Sequence, residues 1–249
     1  MNNLEIKNKW GTTLTAANWE EGFIAVDEKR HWRLGRSAER LANDFSDGNP
    51  SSGEKSLRSL IKLFLGSENI EWKTACIEHG SKFDKYRRPR MQDLAIWGEV
   101  DGQSFFIGVE AKVDEPFGSR TIAEQEEYIK SIKKKTNAGK RLMELKDDFL
   151  KGIDESDFKE FRYQLLYYLA GSFREEADII IMPVFAYNSG SCNENNLKDY
   201  NTFMSKIGFI PIAENKGEIK IAYSAEISSY DRNHNDILTK RVFSCYIEK

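Results

Sequence analysis

The sequence predicts an α/β or α+β domain with a central mixed sheet flanked by helices, and three observations carry that prediction. Helical and strand-like segments follow one another in the order helix, three strands, helix, strand. Asp101-Gly102 stands between two apolar runs, the strongest short hairpin signal available. The 249 residues, 40% hydrophobic and 31% charged, suit a soluble chain long enough to bury a sizeable core.

The elements follow in order. Residues 1 to 35 mix Trp10, Trp19, Phe23 and Trp32 with charges and show no clean period, so their fold stays open. Ser37 to Phe45 reads as a helix with Ala38, Leu41 and Phe45 on one face and Ser37 as an N-cap. After the turn-rich Asp47–Gly53, a second helix over Glu54 to Leu65 spaces Leu57, Leu60, Ile61 and Leu65 helically. Strands are expected over Ile70–Glu78, Met91–Val100 and Gln103–Val113. Charged helical sequence runs from Thr121 to Ile153 with a break at Asn137–Gly139, and another helix covers Asp157–Phe173 with Phe158, Phe161, Leu165, Tyr168 and Leu169 as its stripe. Ile179–Tyr187 reads as a strand in which Pro183 demands a bulge or an unpaired amide. A helix over Asn196–Ile207 and strands over Glu218–Ile227 and Leu238–Ile247 complete the chain.

Several functional classes are disfavoured. Cys76, Cys192 and Cys245 are odd in number and never spaced as CxxC, so neither a disulfide framework nor a structural zinc site is indicated. His31, His79 and His234 form no HExxH run. No apolar stretch approaches the length of a membrane span, and MNNLEIKNKW lacks the pattern of a signal peptide, so a cytoplasmic location without a membrane partner is expected.

The hairpin carries the functional signal. If Asp101-Gly102 forms a two-residue turn, Val100 faces Gln103 and, counting back along both strands, Asp93 faces Glu110. Their Cβ atoms would then lie about 5 Å apart, with Lys112 on the same face by the period of two. A three-residue loop would separate the acids. Ala95 and Gly108 share this face and leave room, while Leu94, Ile96, Phe105, Ile107 and Val109 form a core surface on the other. Opposed carboxylates repel unless a cation or proton intervenes, and Mg²⁺ (or Mn²⁺) is the natural candidate: it prefers oxygen donors and keeps positions for a phosphate. Lys112 would orient the attacking water or stabilise developing charge, a combination suited to phosphodiester hydrolysis.

Asp93 followed by Glu110-Ala111-Lys112 resembles the core of the PD-(D/E)xK nuclease superfamily, and Gln164-Leu165-Leu166-Tyr167-Tyr168 resembles the Q-x-x-x-Y motif of its RecB-like branch. The resemblance covers about residues 37–187. It implies a restriction-endonuclease-like fold in a single domain over 1–249, with a charged helical insertion over about 114–155, read as a lid, and a C-terminal extension of the sheet over 188–249. It further implies that Asp93, Glu110 and the Ala111 carbonyl bind Mg²⁺ or Mn²⁺, that Lys112 serves the attacking water, and that Gln164 positions the site or the DNA. An acid on the first helix would complete the site, Glu39 being the best match and Glu54 its rival. The implied activity is that of a metal-dependent nuclease, with nucleic acid, foremost DNA, as partner and a homodimer left open. The alternative is a catalytically inactive nuclease fold serving as a nucleic-acid-binding or scaffold module.

Other features are weighed beside this site. Lys85–Arg90 stands just before the Asp93 strand, where it would meet phosphates or simply be solvated, with Tyr86 available to stack on a base. Lys133–Lys135, Lys140 and Arg141 read as a backbone grip or a wet helix face. His79 is read as structural, Asp114 and Glu115 as a polar strand exit, and Tyr168 as a packing residue whose hydroxyl finds a partner.

Overall fold

One mixed sheet of eight strands organises the computed structural model, which describes residues 3–8, 10–15, 18–19, 36–86, 88–133, 136–187 and 191–249. The strands are β1 (Ile6–Lys7), β2 (Ile70–Ser81), β3 (Arg90–Val100), β4 (Gln103–Lys112), β5 (Ile179–Ala186), β6 (Ile210–Lys216), β7 (Ile219–Tyr230) and β8 (Ile237–Glu248), in the spatial order β1-β2-β3-β4-β5-β8-β7-β6. The β2-β3-β4 meander and the β6-β7-β8 meander are antiparallel, and β5 joins them by parallel pairing on both sides. The C-terminal strands thus belong to the same sheet. Phe23, His31, Trp32, Arg87, Lys134 and Lys135 lie outside the described residues.

Helices cover both faces. On one side α1 (Ser37–Ser46) and α2 (Ser52–Leu65) bury Leu41, Phe45, Leu57 and Ile61 against Leu94, Ile96, Ile107 and Val109. On the other lie α3 (Ile122–Ser131), α4 (Ala138–Phe149), the short α5 (Glu155–Phe158), α6 (Tyr163–Phe173) and α7 (Ser191–Lys206), around Leu142, Leu145, Leu165, Tyr168 and Phe203. Strand β5 is buried on both faces and so reads as the unbroken apolar run IIIMPVFA, as a strand paired in parallel on both sides and covered by helices should. No helix among the described residues is long and apolar enough to cross a membrane.

The hairpin turn is as the sequence demands. Asp101 and Gly102 have φ of +50° and +80°, and β3 pairs with β4 from Val100–Gln103 back to Leu94–Val109 without a slip. Helices α1, α2 and α7 and strands β7 and β8 fall within a few residues of expectation, with α2 capped by the Ser51 side chain on the Glu54 amide.

Two elements differ. The expected helix over Asp157–Phe173 is broken after Phe158 because the chain there pairs with the start of the insertion: Ile122 N–H donates to Phe161 C=O, Tyr163 N–H to Arg120 C=O, and Thr121 bridges Arg162. The charged insertion therefore leaves and rejoins the core at one place, and α3 and α4 pack into the second core through Ile122, Leu142 and Leu145. Strand β6 was not expected. It is an edge strand whose residues are exposed or half-buried, so its sequence IPIAENK carries no burial pattern to read.

Candidate active site

Helix α6 is fixed to the sheet above β4, and one tyrosine does much of this. Pro183 has no N–H, and the pairing of β4 with β5 lapses between Ile107–Ile181 and Glu110–Val184. Tyr168 fills the gap, its hydroxyl donating to the Gly108 carbonyl at 2.5 Å and lying 3.1 Å from that of Pro183. Gly108 is needed there, since an added Cβ would come within 2.9 Å of the Phe106 ring and 3.0 Å of Ser172 Oγ. The room expected beside Ala95 and Gly108 is therefore occupied by α6.

The first turn of α6 delivers Gln164 onto β4. Its amide Nε2 donates to Glu110 Oε1 at 2.6 Å, and its Oε1 accepts from Lys112 Nζ at 3.4 Å. Lys112 Nζ lies 2.8 Å from Glu110 Oε1, and Phe117, fully buried, lies under the ammonium. Glu110, Lys112 and Gln164 are thus brought together.

Asp93 meets them differently from expectation. The β3–β4 ladder stops at Leu94–Val109, and beyond it the Asp93 carboxylate Oδ2 accepts the Ala111 amide at 2.8 Å instead of standing in a regular pair with Glu110. The physical reason is a change of face. Leu94 lies in the α1/α2 core, yet Gln92, two residues away, donates to Ser172 on α6 at 3.2 Å. Strand β2 changes face at the same level: Ile77 belongs to the α1/α2 core, while His79 packs edge-on against Trp97, and Glu78 between them has φ of +51°. A positive φ at a glutamate is strained, and here it marks the level at which two neighbouring strands change face together while their register holds from Ile77–Leu94 to His79–Gln92.

That change of face brings in a residue that period-two counting assigns to the other side. Arg90 reaches the α6 side, where its guanidinium pairs with Glu110 Oε2 and lies over the rings of Tyr167 and Tyr168, 5.2 and 5.6 Å from their centroids. The expectation that Lys85–Arg90 meets phosphates or is solvated is corrected at Arg90 alone, since Lys85 and Arg88 are exposed. Arg90 is internal, Lys85 pairs with Glu144, and the Tyr86 hydroxyl also donates to Glu144. Arg141 is likewise committed, donating to Asp84 at 2.6 Å and to the Arg88 carbonyl.

Three acids, Glu78, Asp93 and Glu110, therefore share a buried region with two cations, Arg90 and Lys112. Burial opposes ionisation of Glu110, but Arg90 and Lys112 outweigh it and hold its carboxyl below the usual range. Burial also opposes the Lys112 ammonium, and Glu110 and Asp93 outweigh that, so Lys112 stays protonated at neutral pH. For Asp93, burial and then the charges of Glu110 and Glu78 all act in one direction and push its pKa up to about 8. Among the described residues, the cluster has more carboxylates than cations.

These donors fit a hard divalent ion. Among the described residues no group of three or more His, Cys, Asp or Glu side chains is arranged to hold a metal, so the ion would rest on two carboxylates, a carbonyl and water, the mixed set Mg²⁺ accepts. Asp93 is the carboxyl that no cation of the cluster neutralises, and a divalent ion would favour its ionised form. In an extended strand a residue's N–H and C=O point to the same side, so the Ala111 carbonyl faces the same gap as the amide that Asp93 accepts. The Lys112 carbonyl, by contrast, is taken by the Tyr187 amide on the β5 side. Glu110 qualifies once Arg90 leaves Oε2.

Of the two candidate helix acids, Glu54 is committed elsewhere. Glu39, half-buried in the first turn of α1, accepts from Asn43 at 3.4 Å and is not among the principal charges acting on Asp93, Glu110 or Lys112. Glu54 is buried in α2, accepting from Arg58 and from Trp72 Nε1, and serves the α1/α2 side of the fold. Asp114 pairs with Arg36, consistent with a polar strand exit. Sequence reasoning missed Glu78 and the inward role of Arg90, for which no local pattern gives a signal.

A family model described as a domain of unknown function, DUF6946, matches residues 12–228. The chain belongs to that family. No curated protein and no solved structure matches it. The DUF6946 match spans every residue of the cluster, from Glu78 through Gln164.

His79 is structural, and it yields a test of the local electrostatics. Its Nε2 lies 3.1 Å from Glu175 Oε1 just beyond α6. Burial alone would lower its pKa, but hydrogen bonds with Cys76 and Glu175 raise it to about 9. The folded state then holds a proton that the unfolded chain releases near 6.5, so this contribution is complete below 6.5 and is lost as pH rises through 9. Discounted for partial exposure, about 1–2 kcal/mol should disappear over that window. Urea unfolding across pH should show the decline in the wild type, and Glu175→Gln should flatten it.

Proposed function

We propose that this chain is a metal-dependent nuclease that hydrolyses phosphodiester bonds in DNA, using Mg²⁺ or Mn²⁺ held by Asp93, Glu110 and the Ala111 carbonyl. The observation that carries the reading is the fork at Asp93, where β3–β4 pairing ends and two carboxylates, a lysine and a strand carbonyl converge beneath α6. A divalent ion supplies there the polarisation of a phosphate and the activation of water. Lys112, protonated and 2.8 Å from Glu110, is a cation for the charge that develops on the phosphate rather than a base for the water. Gln164 holds both Glu110 and Lys112 in place through its two ends. The restriction-endonuclease-like core is the fold this reading requires, and the mixed sheet flanked by helices is compatible with it.

Incubation of plasmid and oligonucleotide DNA with Mg²⁺ or Mn²⁺ tests the proposal. Lys112→Ala should lower cleavage by about 10²–10³-fold, the usual loss when one group that stabilises developing charge is removed, and Glu110→Ala should abolish it. Equal cleavage by wild type and variants would end the proposal, as would no cleavage of any substrate. One observation favours a second reading, a nuclease fold that binds nucleic acid without cutting it: Glu110 is only 3% exposed and Arg90 already neutralises it. Retained DNA binding without cleavage in either metal would select that reading.

A further inference from the structure

We propose that Arg90 is a resident counter-cation that occupies, on Glu110, the place a divalent metal needs, so that metal uptake and Arg90 release are one coupled event. The inference rests on the metal-dependent reading above and adds a regulatory element to that site.

Four observations carry it. The Arg90 and Glu110 side chains are 8% and 4% exposed, so the pair is a buried one in which each charge requires the other. Both oxygens of Glu110 are engaged, Oε1 by Lys112 and Gln164 and Oε2 by Arg90, so a second cation reaching Oε2 would sit against the guanidinium while Arg90 stays. Arg90 is held incompletely: Nη1 donates to the Met91 carbonyl and Nη2 to Glu110, but its buried Nε has no hydrogen-bond partner among the described residues. Finally, Arg90 and Lys112 share one carboxylate, so their charges repel each other across it, and a divalent ion entering at Asp93 would add to that repulsion.

These facts distinguish Arg90 from a structural arginine, whose donors would all be satisfied. Its stem packs near Gly171 and its head lies over Tyr167 and Tyr168, a polarisable surface that accepts a guanidinium without fixing it by hydrogen bonds. Coupling of this kind is reciprocal: whatever holds Arg90 on Glu110 weakens the metal, and the metal weakens Arg90 by the same factor. Once released, the planar fork of Arg90 is suited to an oxygen pair on a phosphate, so a phosphodiester at the site would favour the metal-loaded form.

Calorimetric titration with Mn²⁺ compares wild type, Arg90→Met and Asp93→Asn. Arg90→Met should bind Mn²⁺ at least ~10-fold more tightly than wild type, and Asp93→Asn should remove binding. A measurement on the intact chain guards against a variant that fails to fold: the Arg90 Nε–H resonance, assigned with Arg90→Lys, should shift toward that of a solvent-exposed arginine as Mg²⁺ is added. Equal or weaker Mn²⁺ binding by Arg90→Met, or an unmoved resonance while Mg²⁺ binds, overturns the inference and leaves the metal site standing. Absence of Mn²⁺ binding in both wild type and Arg90→Met overturns the metal reading and this inference together.

Discussion

Glu110→Gln should destabilise the metal-free protein by about 3–5 kcal/mol, the range expected when one partner of a buried ion pair is removed and its opposite charges are left behind. The glutamine keeps the volume and can still accept one hydrogen bond, so the loss isolates charge rather than packing. Arg90 and Lys112 would both remain inside without their common anion. One compensation works against the full cost. Glu110 is, after burial, the largest cause of the raised Asp93 pKa, so in the variant Asp93 ionises more readily and takes up part of the attraction. The loss should therefore fall toward the lower end of the range at neutral pH and grow in acid, where Asp93 is protonated again. Urea unfolding with a chelator measures it. Adding Arg90→Met to Glu110→Gln should recover stability, since the second substitution removes a charge that the first orphaned. A loss below about 1 kcal/mol, or no recovery in the double variant, would mean that water already screens the cluster.

The change of face at Glu78 and Asp93 explains how far the site was legible in the sequence. Asp101-Gly102 fixed the hairpin register through its positive φ, and this placed Glu110 and Lys112 on one face and predicted the pairing down to Leu94–Val109. Gln164 was legible through its resemblance to the Q-x-x-x-Y motif, four residues before Tyr168 on one helical face. Arg90 and Gln92 were not, because counting by two from Leu94 sends both to the α1/α2 side. The change of face depends on the backbone of Glu78 in the neighbouring strand and on the Asp93 carboxylate replacing a ladder hydrogen bond, neither of which is a property of residues 90–92 themselves. For the same reason the basic run before β3 looked like surface. Its Lys85 and Arg90, together with Arg141 of the insertion, are neutralised by Glu144, Glu110 and Asp84, acids lying 20 to 59 positions away in the chain. Edge strand β6 escaped on different grounds, since a strand exposed on both faces has no pattern to show.

Asp93→Asn should make the metal-free protein more stable while removing metal binding and cleavage. The raised pKa decides the sign. A carboxyl that titrates at 3.8 in the unfolded chain and near 8 in the folded one holds its proton more tightly when folded, so between those values stability falls as pH rises. At neutral pH the protein carries that penalty, and the asparagine variant does not. The substituted side chain would still accept the Ala111 amide through its oxygen, and its NH₂ would face the acids in place of a like charge. Because Asp93 is half-buried and coupled to Glu110, the full difference in pKa overstates the gain, and about 1–2 kcal/mol is the expected result at about pH 7 to 8. At about pH 4 the two proteins should be nearly equal, which separates this cause from any change in packing. Chemical denaturation with a chelator at both pH values measures the gain, and Mn²⁺ titration of the same samples measures what was lost. A wild type more stable than Asp93→Asn without metal would show that Asp93 serves the fold. The opposite order would mark it as a residue kept at the expense of stability, as the proposed metal-binding role requires.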